Sequence, residues 1–406
     1  MPLPHLLLVA AALAGCGALA GCAGPARGTP PQVLPAEVFV APDSVVTRLD
    51  GVAVIDGGLS ALDLGPDGAL WAVADRGPNL DAEVAEGRPA KRFALPDYTP
   101  ALTRLATGDG GLRLAERRPV LSPDGHAATG RPPPRTGDAE VETARGPDGG
   151  RLEPDPWGVD AEGLAFDGAD VWLAEEYRPS LWRVDAATGA VRERWTPAPT
   201  EAVDRPLPPV LAGRQPNLGF EGVAVLDGAV VASLQGPIRT AETHPATPLV
   251  RLLRLDPATG AAETFAYPMD GPLRKVGDLA ALPDGRLLVL EHGPDAGGAW
   301  SGQVYAVSLR GAAPLGDALP ERFASPAEAA GVAVLDKRLV LDLVPAGWPA
   351  ALHKPEGLAV LPDGRLAVLA DNDYGVDAPA SDGRPVATGA RTTLVVFDVA
   401  GLRAGR

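Results

Sequence analysis

The apolar positions of this chain fall in short runs, and turn-forming residues separate the runs. The polar residues around these runs repeat: an acid and a glycine precede one run, Asp-Gly follows it, and the next run ends on a second acid. A run, an Asp-Gly turn and a returning run predict a β-hairpin. Repetition every several tens of residues predicts one supersecondary unit used many times. The repeats start at Ser60 (a variant), Glu162, Glu221, Asp278 and Glu356.

Each complete unit contains more than the hairpin. After Glu162, apolar runs cover residues 163–166, 171–174, 181–185 and 190–195. Four antiparallel strands are the content of one propeller blade. We therefore predict an all-β fold, a single β-propeller of four-stranded blades, with five motif-bearing blades and five or six in total. A β-sandwich or two smaller barrels is the alternative fold. The last unit ends at 392–399, and we expect residues 45–54 to supply its fourth strand and close the ring.

The two acids of each repeat are expected at the same end of the propeller. Strand one leaves from the leading acid, and strand two returns to the trailing acid, so both lie near the central channel. Most long loops open at that end, where sites are usually built. The pairs are Ser60/Asp75, Glu162/Glu175, Glu221/Gln235, Asp278/Glu291 and Glu356/Asp371.

Charge and residue type narrow the chemistry of this face. With 36 basic and 52 acidic residues, the formal net charge is −16, which argues against nucleic acid as a partner. Clustered carboxylates raise one another's pKa unless cations compensate them. Oxygen ligands without cysteine or clustered histidine favour Ca²⁺, or Mg²⁺, over zinc. The competing interpretation is that the acids only hold the blades together. The predicted metal ligands are Asp75, Asp160, Glu162, Glu175, Glu221, Asp278, Glu291, Glu356, Asp371 and Asp373.

The N-terminal segment is predicted to be a targeting signal. Residues 1–21 resemble a lipoprotein signal peptide, and Leu19-Ala20-Gly21-Cys22 resembles a lipobox with Cys22 as the lipidated residue. Cys16 follows a second such sequence and is the alternative; an ordinary secretory signal is another. We expect residues 22–40 to carry the lipid and form a flexible tether, and 41–403 to form the propeller. Only a lipid anchor would then contact a membrane, at the periplasmic face of an outer membrane.

Several phrases together resemble one family. They are Asp160-Ala-Glu162-Gly163, Glu175-Glu176-Tyr177-Arg178-Pro179, Asn217-Leu-Gly-Phe220-Glu221, Lys354-Pro-Glu356-Gly357 and Asp371-Asn372-Asp373. The family is the phytase-like, or "esterase-like activity of phytase", domain of secreted bacterial proteins, and the resemblance runs from about Gly57 to Asp398. It implies ester or phosphoester hydrolysis and a likeness to calcium-dependent propeller phytases.

The residues beside the motifs suggest roles. Glu176 is the candidate general base, and Arg76, Arg178 and Lys354 are candidates to receive anionic oxygens of a small anionic or ester substrate. The expected lining of the funnel also includes Ser60, Asn217, Gln235, His292 and Asn372.

Three alternatives to this hydrolase stay open. Ser60 with His292 or His353 could form a nucleophile and base, although the chain has no Gly-x-Ser-x-Gly elbow. A non-catalytic propeller that binds a ligand or partner is the second alternative. A calcium-dependent lactonase-like hydrolase is the third. We expect a monomer.

Overall fold

The computed structural model describes residues 35–85, 88–108, 111–134, 142–378, 383–399 and 402. The chain divides into two units, Met1–Pro31 and Gln32–Arg406, and every described residue belongs to the second. Cys16 and Cys22, with the predicted signal peptide, lie outside the described residues. Within the described part, no helix has the length and apolar character needed to cross a membrane.

Short strands make up almost all of the regular structure, with three brief 3₁₀ turns at Pro209–Gly213, Pro320–Arg322 and Asp373–Gly375. In chain order the strands are β1 (Pro35–Val40), β2 (Val45–Leu49), β3 (Val52–Ile55), β4 (Asp63–Leu64), β5 (Leu70–Val73), β6 (Asn79–Ala85), β7 (Arg88–Phe93), β8 (Ala101–Gly108), β9 (Gly111–Pro119), β10 (Thr143–Arg145), β11 (Ala161–Asp167), β12 (Asp170–Glu175), β13 (Ser180–Asp185), β14 (Val191–Thr196), β15 (Asp204–Pro206), β16 (Phe220–Leu226), β17 (Ala229–Leu234), β18 (Leu249–Leu255), β19 (Ala262–Pro268), β20 (Lys275–Ala281), β21 (Leu287–Pro294), β22 (Trp300–Val307), β23 (Lys337–Asp342), β24 (Pro355–Val360), β25 (Leu366–Ala370), β26 (Val376–Asp377), β27 (Val386–Ala387) and β28 (Thr393–Phe397).

The large sheets are five propeller blades. Their strand orders are β4-β5-β8-β9, β11-β12-β13-β14-β15, β16-β17-β18-β19, β20-β21-β22-β23 and β24-β25-β28-β1. The first strands of successive blades contact one another in a closed cycle, from β4 through β11, β16, β20 and β24 back to β4. The predicted all-β propeller is therefore confirmed, and the described part of the chain has five blades. A five-strand blade arises because β15 adds to β14 in parallel.

One prediction about ring closure was wrong. The fourth strand of the last blade is β1, which pairs antiparallel with β28, and not residues 45–54. Those residues instead form the separate hairpin β2-β3. Residues 35–40, which the prediction assigned to the tether, therefore belong to strand β1. The physical logic is unchanged, because an N-terminal strand still covers the open edge of the C-terminal blade.

A β-bulge at the start of the inner strand explains the recurrent Glu-Gly pair. In β11 the pairing skips from Ala161 to Gly163, so Glu162 is the bulged residue. The following glycine lies where two blades meet: a Cβ on Gly163 would come within 2.4 Å of the carbonyl oxygen of Glu221. Glycine thus permits close approach of the inner strands, while the bulge directs the preceding side chain elsewhere.

Asp63 ties the first blade to the second and gives a pH-dependent prediction. Its Oδ2 accepts a hydrogen bond of 2.8 Å from the Phe166 amide in β11. Burial raises the pKa of Asp63 from 3.8 to about 6, although backbone donors oppose this. The folded chain therefore binds this proton more tightly than the unfolded chain. The resulting contribution of Asp63 to the stability of the fold is favourable at pH 3.8 and is lost as the pH rises to about 6.

We therefore expect Asp63→Asn to be more stable than wild type at pH 7, by about 1–3 kcal/mol, and to have no such advantage at pH 4. Urea unfolding at the two pH values measures this difference. An equal effect of the substitution at both values would contradict the assignment.

Candidate functional site

An open cavity of about 220 Å³ lies where the inner strands begin, at the end of the ring predicted to carry the acids. We call it the acid cavity. Eight carboxylates but only four cationic side chains line it. Its lining consists of Ser60, Asp75, Arg76, Asn79, Leu80, Asp81, Lys91, Glu162, Glu176, Asn217, Glu221, Gln235, Lys275, Lys354, Glu356, Asp373, Val376 and Asp377.

Two long loops supply the side wall of the acid cavity. The first follows β5 and carries β6 and β7, which pair with β10 in a small sheet; Asn79, Leu80, Asp81 and Lys91 come from it. The second follows β25 and contributes Asp373, Val376 and Asp377. Long loops do therefore surround this end of the propeller, as the strand directions predict.

Three carboxylates converge beside the acid cavity, and two of them, Glu162 and Glu176, line it. Asp160, Glu162 and Glu176 each offer an oxygen, and these oxygens lie within 4.8 Å of one another. Asp160 directly precedes β11, Glu162 occupies its bulge, and Glu176 follows β12, so adjacent hairpin strands bring them together. All three side chains are buried.

Several buried acceptor oxygens around these carboxylates have no hydrogen-bond donor among the residues that the structure describes. They are Glu176 Oε1, Glu221 Oε2, Gln235 Oε1 and Asp160 Oδ2, although the last lies 3.0 Å from Arg76 Nη1 in an ion pair. The other oxygen of Glu221 accepts from Gln235 Nε2 at 2.5 Å. Buried polar atoms are rarely left without partners. A cation that prefers oxygen ligands can bind where several such acceptors converge without donors.

The pKa values respond to this crowding. Burial, and then the Asp160 carboxylate, raises the pKa of Glu176 to about 8. The same two causes raise the pKa of Asp75 to about 7. The pKa of Glu162 and that of Glu221 are also raised, first by burial and then by neighbouring carboxylates. Positive charge within the acid cavity would favour the ionised forms of all four side chains.

Two of the predicted cations line the acid cavity and are held by acids. Arg76 Nη1 lies 2.7 Å from Glu142 Oε2, and its Nη2 donates to Asn217 Oδ1 at 2.6 Å. Lys354 Nζ lies 2.7 Å from Asp371 Oδ2, 2.7 Å from Asp373 Oδ1 and 3.4 Å from Glu356 Oε2. Both heads are therefore fixed in place before any substrate arrives.

Three predicted metal ligands, Glu175, Glu291 and Asp278, lie outside the acid cavity and bind other groups; Asp160 and Asp371 do not line it either. Glu175 instead stabilises the turn after β12, because its oxygens accept from the Tyr177 and Arg178 amides at 2.8 and 2.9 Å and from Ser180 Oγ at 2.9 Å. Glu291 is buried against Lys337 and Arg274.

Asp278 is the third of these residues, and the position of the bulge in its strand explains why its side chain lies outside the acid cavity. In β20 the bulged residue is Gly277, between Val276 and Asp278, so Asp278 stands one position later than Glu162 does in its own strand. A shift of one residue directs the side chain to the opposite face. Its oxygens accept from three backbone amides instead, those of Leu62, Leu279 and Leu358.

Four other predicted residues also lie outside the acid cavity. Asn372 joins the last blade to the first, because its Oδ1 accepts from the Gly58 amide at 2.9 Å. Asp371 binds Lys354, whose Nζ lies 2.7 Å from its Oδ2, and it is Lys354 that lines the cavity. The pKa of Arg178 is lowered by burial and by Arg194, and this side chain does not line the cavity. His292 is buried, and burial and nearby Lys275 lower its pKa to about 3.

The Ser60–histidine pair does not form in the described structure. Ser60 lines the acid cavity, but neither His292 nor His353 hydrogen-bonds to it. The Nε2 atom of His292 has no partner, and His353 is exposed, with its ring against the edge of Trp300. Within the described residues, the predicted nucleophile Ser60 therefore has no adjacent histidine base.

The sequence interpretation missed Lys275, Lys91 and Glu142. Lys275 had a detectable signal: it stands two residues before the bulge of its strand, as Asp160 and Lys354 do in theirs. Lys91 and Glu142 come from the irregular wall, where Glu142 lies 2.7 Å from Arg76 and 3.9 Å from Lys91. No repeat could have revealed those two residues.

Comparison with known proteins identifies a family. The model of the family Phytase-like, described as esterase-like activity of phytase, matches residues 56–374. No curated protein matches the sequence significantly.

Among solved structures, a streptogramin B lyase is similar at 11% identity, with 89% of this chain and 98% of that chain covered and a TM-score of 0.34. Glutaminyl cyclase of Myxococcus xanthus is similar at 12% identity, with 91% and 99% covered and a TM-score of 0.36. The PQQ-bound aldose sugar dehydrogenase of Streptomyces coelicolor is similar at 13% identity, with 90% of this chain and 99% of that chain covered and a TM-score of 0.33. Similarity this distant carries no argument about chemistry.

Proposed function

The chain belongs to the phytase-like family, and from that premise we propose that it is a divalent-metal-dependent hydrolase of ester or phosphoester bonds, with its site in the acid cavity. The observation that carries the proposal is the convergence of Asp160, Glu162 and Glu176, whose ligand oxygens lie within 4.8 Å, beside acceptors that have no donors. Lipid anchoring through Cys22, or Cys16, and a periplasmic location at the outer membrane remain predictions.

The donor set fits a hard cation. Every candidate ligand is a carboxylate or amide oxygen, from Glu162, Glu176, Glu221, Gln235 and, shared with Arg76, Asp160. Such ligands suit Ca²⁺, with Mg²⁺ as the alternative. A cation bound there would polarise a phosphoryl or carbonyl oxygen and acidify a coordinated water.

The chain's own residues would perform the remaining tasks. Arg76 is held by Glu142 and Asn217, so its guanidinium is oriented in advance to meet an anionic oxygen of the substrate. Lys354 neutralises three neighbouring acids and lowers the cost of bringing an anion into an acidic cavity. Glu176 offers one oxygen to the cation, and its other oxygen would accept a proton from an attacking water.

A turnover assay tests the proposal. The chain without residues 1–34 would be assayed on aryl phosphate, aryl acetate and lactone substrates, with Ca²⁺ and after chelation. We expect turnover of at least one ester class, loss on chelation and recovery when Ca²⁺ is restored. Turnover confined to lactones would favour the lactonase-like alternative. No chelator-sensitive turnover on any substrate would contradict the hydrolase and favour a non-catalytic binding propeller.

A further inference from the structure

A second pocket, of about 230 Å³, adjoins the acid cavity. The two share Lys275, and they meet where Asn217 and Gln235 of the acid cavity are followed by Leu218 and Gly236 of the second pocket. The exposed wall of the second pocket is more apolar than polar, and we call it the apolar pocket, although Gln215, Arg239, Thr247, Arg274 and Lys275 also line it. Its apolar lining residues are Leu218, Pro237, Pro245, Pro272 and Leu273.

Hydrogen bonds hold the wall of the apolar pocket in shape. Gln215 Nε2 donates to the Pro237 carbonyl at 2.9 Å, and Arg239 Nε donates to Gln215 Oε1 at 2.9 Å. Prolines add further rigidity because their φ angle is fixed. Leu273 stands at the rim with 72% of its surface exposed, so it contributes little to the core of the fold.

Lys275 separates the two spaces, and its ammonium group interacts with the Glu176 and Glu221 carboxylates only at longer range. The three other cations that line the acid cavity are ion-paired: Arg76 with Glu142, Lys91 with Asp81 and Lys354 with Asp371. Lys275 forms no ion pair or hydrogen bond through its ammonium group with any residue that the structure describes. A cation at the border of an acidic and an apolar space is suited to bind an anion that also carries an apolar group.

We infer that the substrate is an amphiphilic ester, with one anionic group on Lys275 at the edge of the acid cavity and one apolar substituent in the apolar pocket. This inference rests on the proposed function, since it gives the substrate class of that same site. A cavity of about 150 Å³ accommodates a benzene ring, so the apolar pocket accepts a phenyl or hexyl group. A polyanion without apolar surface would leave this pocket unused and would meet twice as many carboxylates as cations.

Binding of two alkylphosphonates tests the inference without requiring turnover. Ethylphosphonate and hexylphosphonate carry the same anionic head and differ only in apolar length. In calorimetric titrations with Ca²⁺ present, we expect hexylphosphonate to bind at least about tenfold more tightly, because each buried methylene group favours binding. Equal dissociation constants, or no binding of either probe, would overturn the inference.

Two variants assign this difference to the residues. Leu273→Ser is expected to reduce the preference for hexylphosphonate from about tenfold to about twofold, whereas Leu339→Ser, at a partly exposed leucine of β23, leaves it unchanged. Lys275→Met is expected to weaken both probes by a similar factor, whereas Arg338→Met, at an exposed cation of the same blade, weakens neither. A Leu273→Ser protein that keeps the full preference would contradict the assignment of the pocket.

The same proteins separate this inference from the proposed function. Ester turnover without a chain-length preference in phosphonate binding would reject the amphiphilic substrate and keep the hydrolase. A clear preference without turnover of any ester would reject the hydrolase and leave an amphiphile-binding cavity.

Discussion

Asp278→Ala is expected to lower the free energy of unfolding by about 4 kcal/mol, the largest stability effect that the structure predicts for a single side chain. Asp278 is fully buried, and its oxygens accept from the amides of Leu358 at 2.7 Å, Leu279 at 2.8 Å and Leu62 at 3.3 Å. These amides belong to three different blades. Alanine would leave the three donors buried without partners, and we expect their cost to exceed the gain from removing a carboxyl whose pKa burial raises.

Urea unfolding of Asp278→Ala and of a matched control measures this effect. The control is Asp284→Ala, in the hairpin turn of the same blade, where the side chain is 54% exposed and pairs with Arg286. Its expected loss is below about 1 kcal/mol. If Asp278→Ala kept its stability but lost calcium binding, Asp278 would be a metal ligand after all, as the sequence alone suggested.

The case of Asp278 shows which features of the structure can be predicted from the sequence and which cannot. Hairpins, blades and the end of the ring that carries the acids follow from local patterns, because apolar runs and Asp-Gly turns act over a few residues. The position of a bulge does not follow from them. Gly277 takes the place of Glu162 in its blade, and one residue of offset turns Asp278 from a candidate ligand into a link between blades.

The trailing acids illustrate a second limit. Alternation along a strand predicts opposite faces for neighbours, but it does not say which of two adjacent acids faces the channel. Glu175 is used by the turn that follows it, and Glu176 lines the cavity. Arg178 was included in the predicted site because it is close to Glu176 in sequence. The turn instead places its side chain near Arg194. Such outcomes depend on loop geometry, which contacts between distant segments determine.

Glu176→Gln is expected to weaken calcium binding about a hundredfold and to lower turnover at micromolar Ca²⁺ by at least as much. The substitution keeps the shape of the side chain but removes its charge, and charge count is a main determinant of calcium affinity. Without Ca²⁺ the variant should fold as well as wild type or better, because it removes a carboxyl whose pKa burial, and then repulsion from Asp160, raises to about 8.

This combination separates a ligand from a structural acid. If a residue merely held blades together, its substitution would lower the free energy of unfolding of the protein both with and without Ca²⁺. The matched control is Glu263→Gln, which removes one charge from a glutamate of β19 whose side chain is 48% exposed. It should change neither calcium affinity nor turnover.

The most direct test of the account is a calorimetric titration of chelator-treated protein with Ca²⁺, made on wild type and on Glu176→Gln. We predict saturable binding to wild type and about hundredfold weaker binding to the variant. The absence of binding to wild type at millimolar Ca²⁺, or equal affinity in the two proteins, would contradict the claim that the acid cavity is a divalent-cation site.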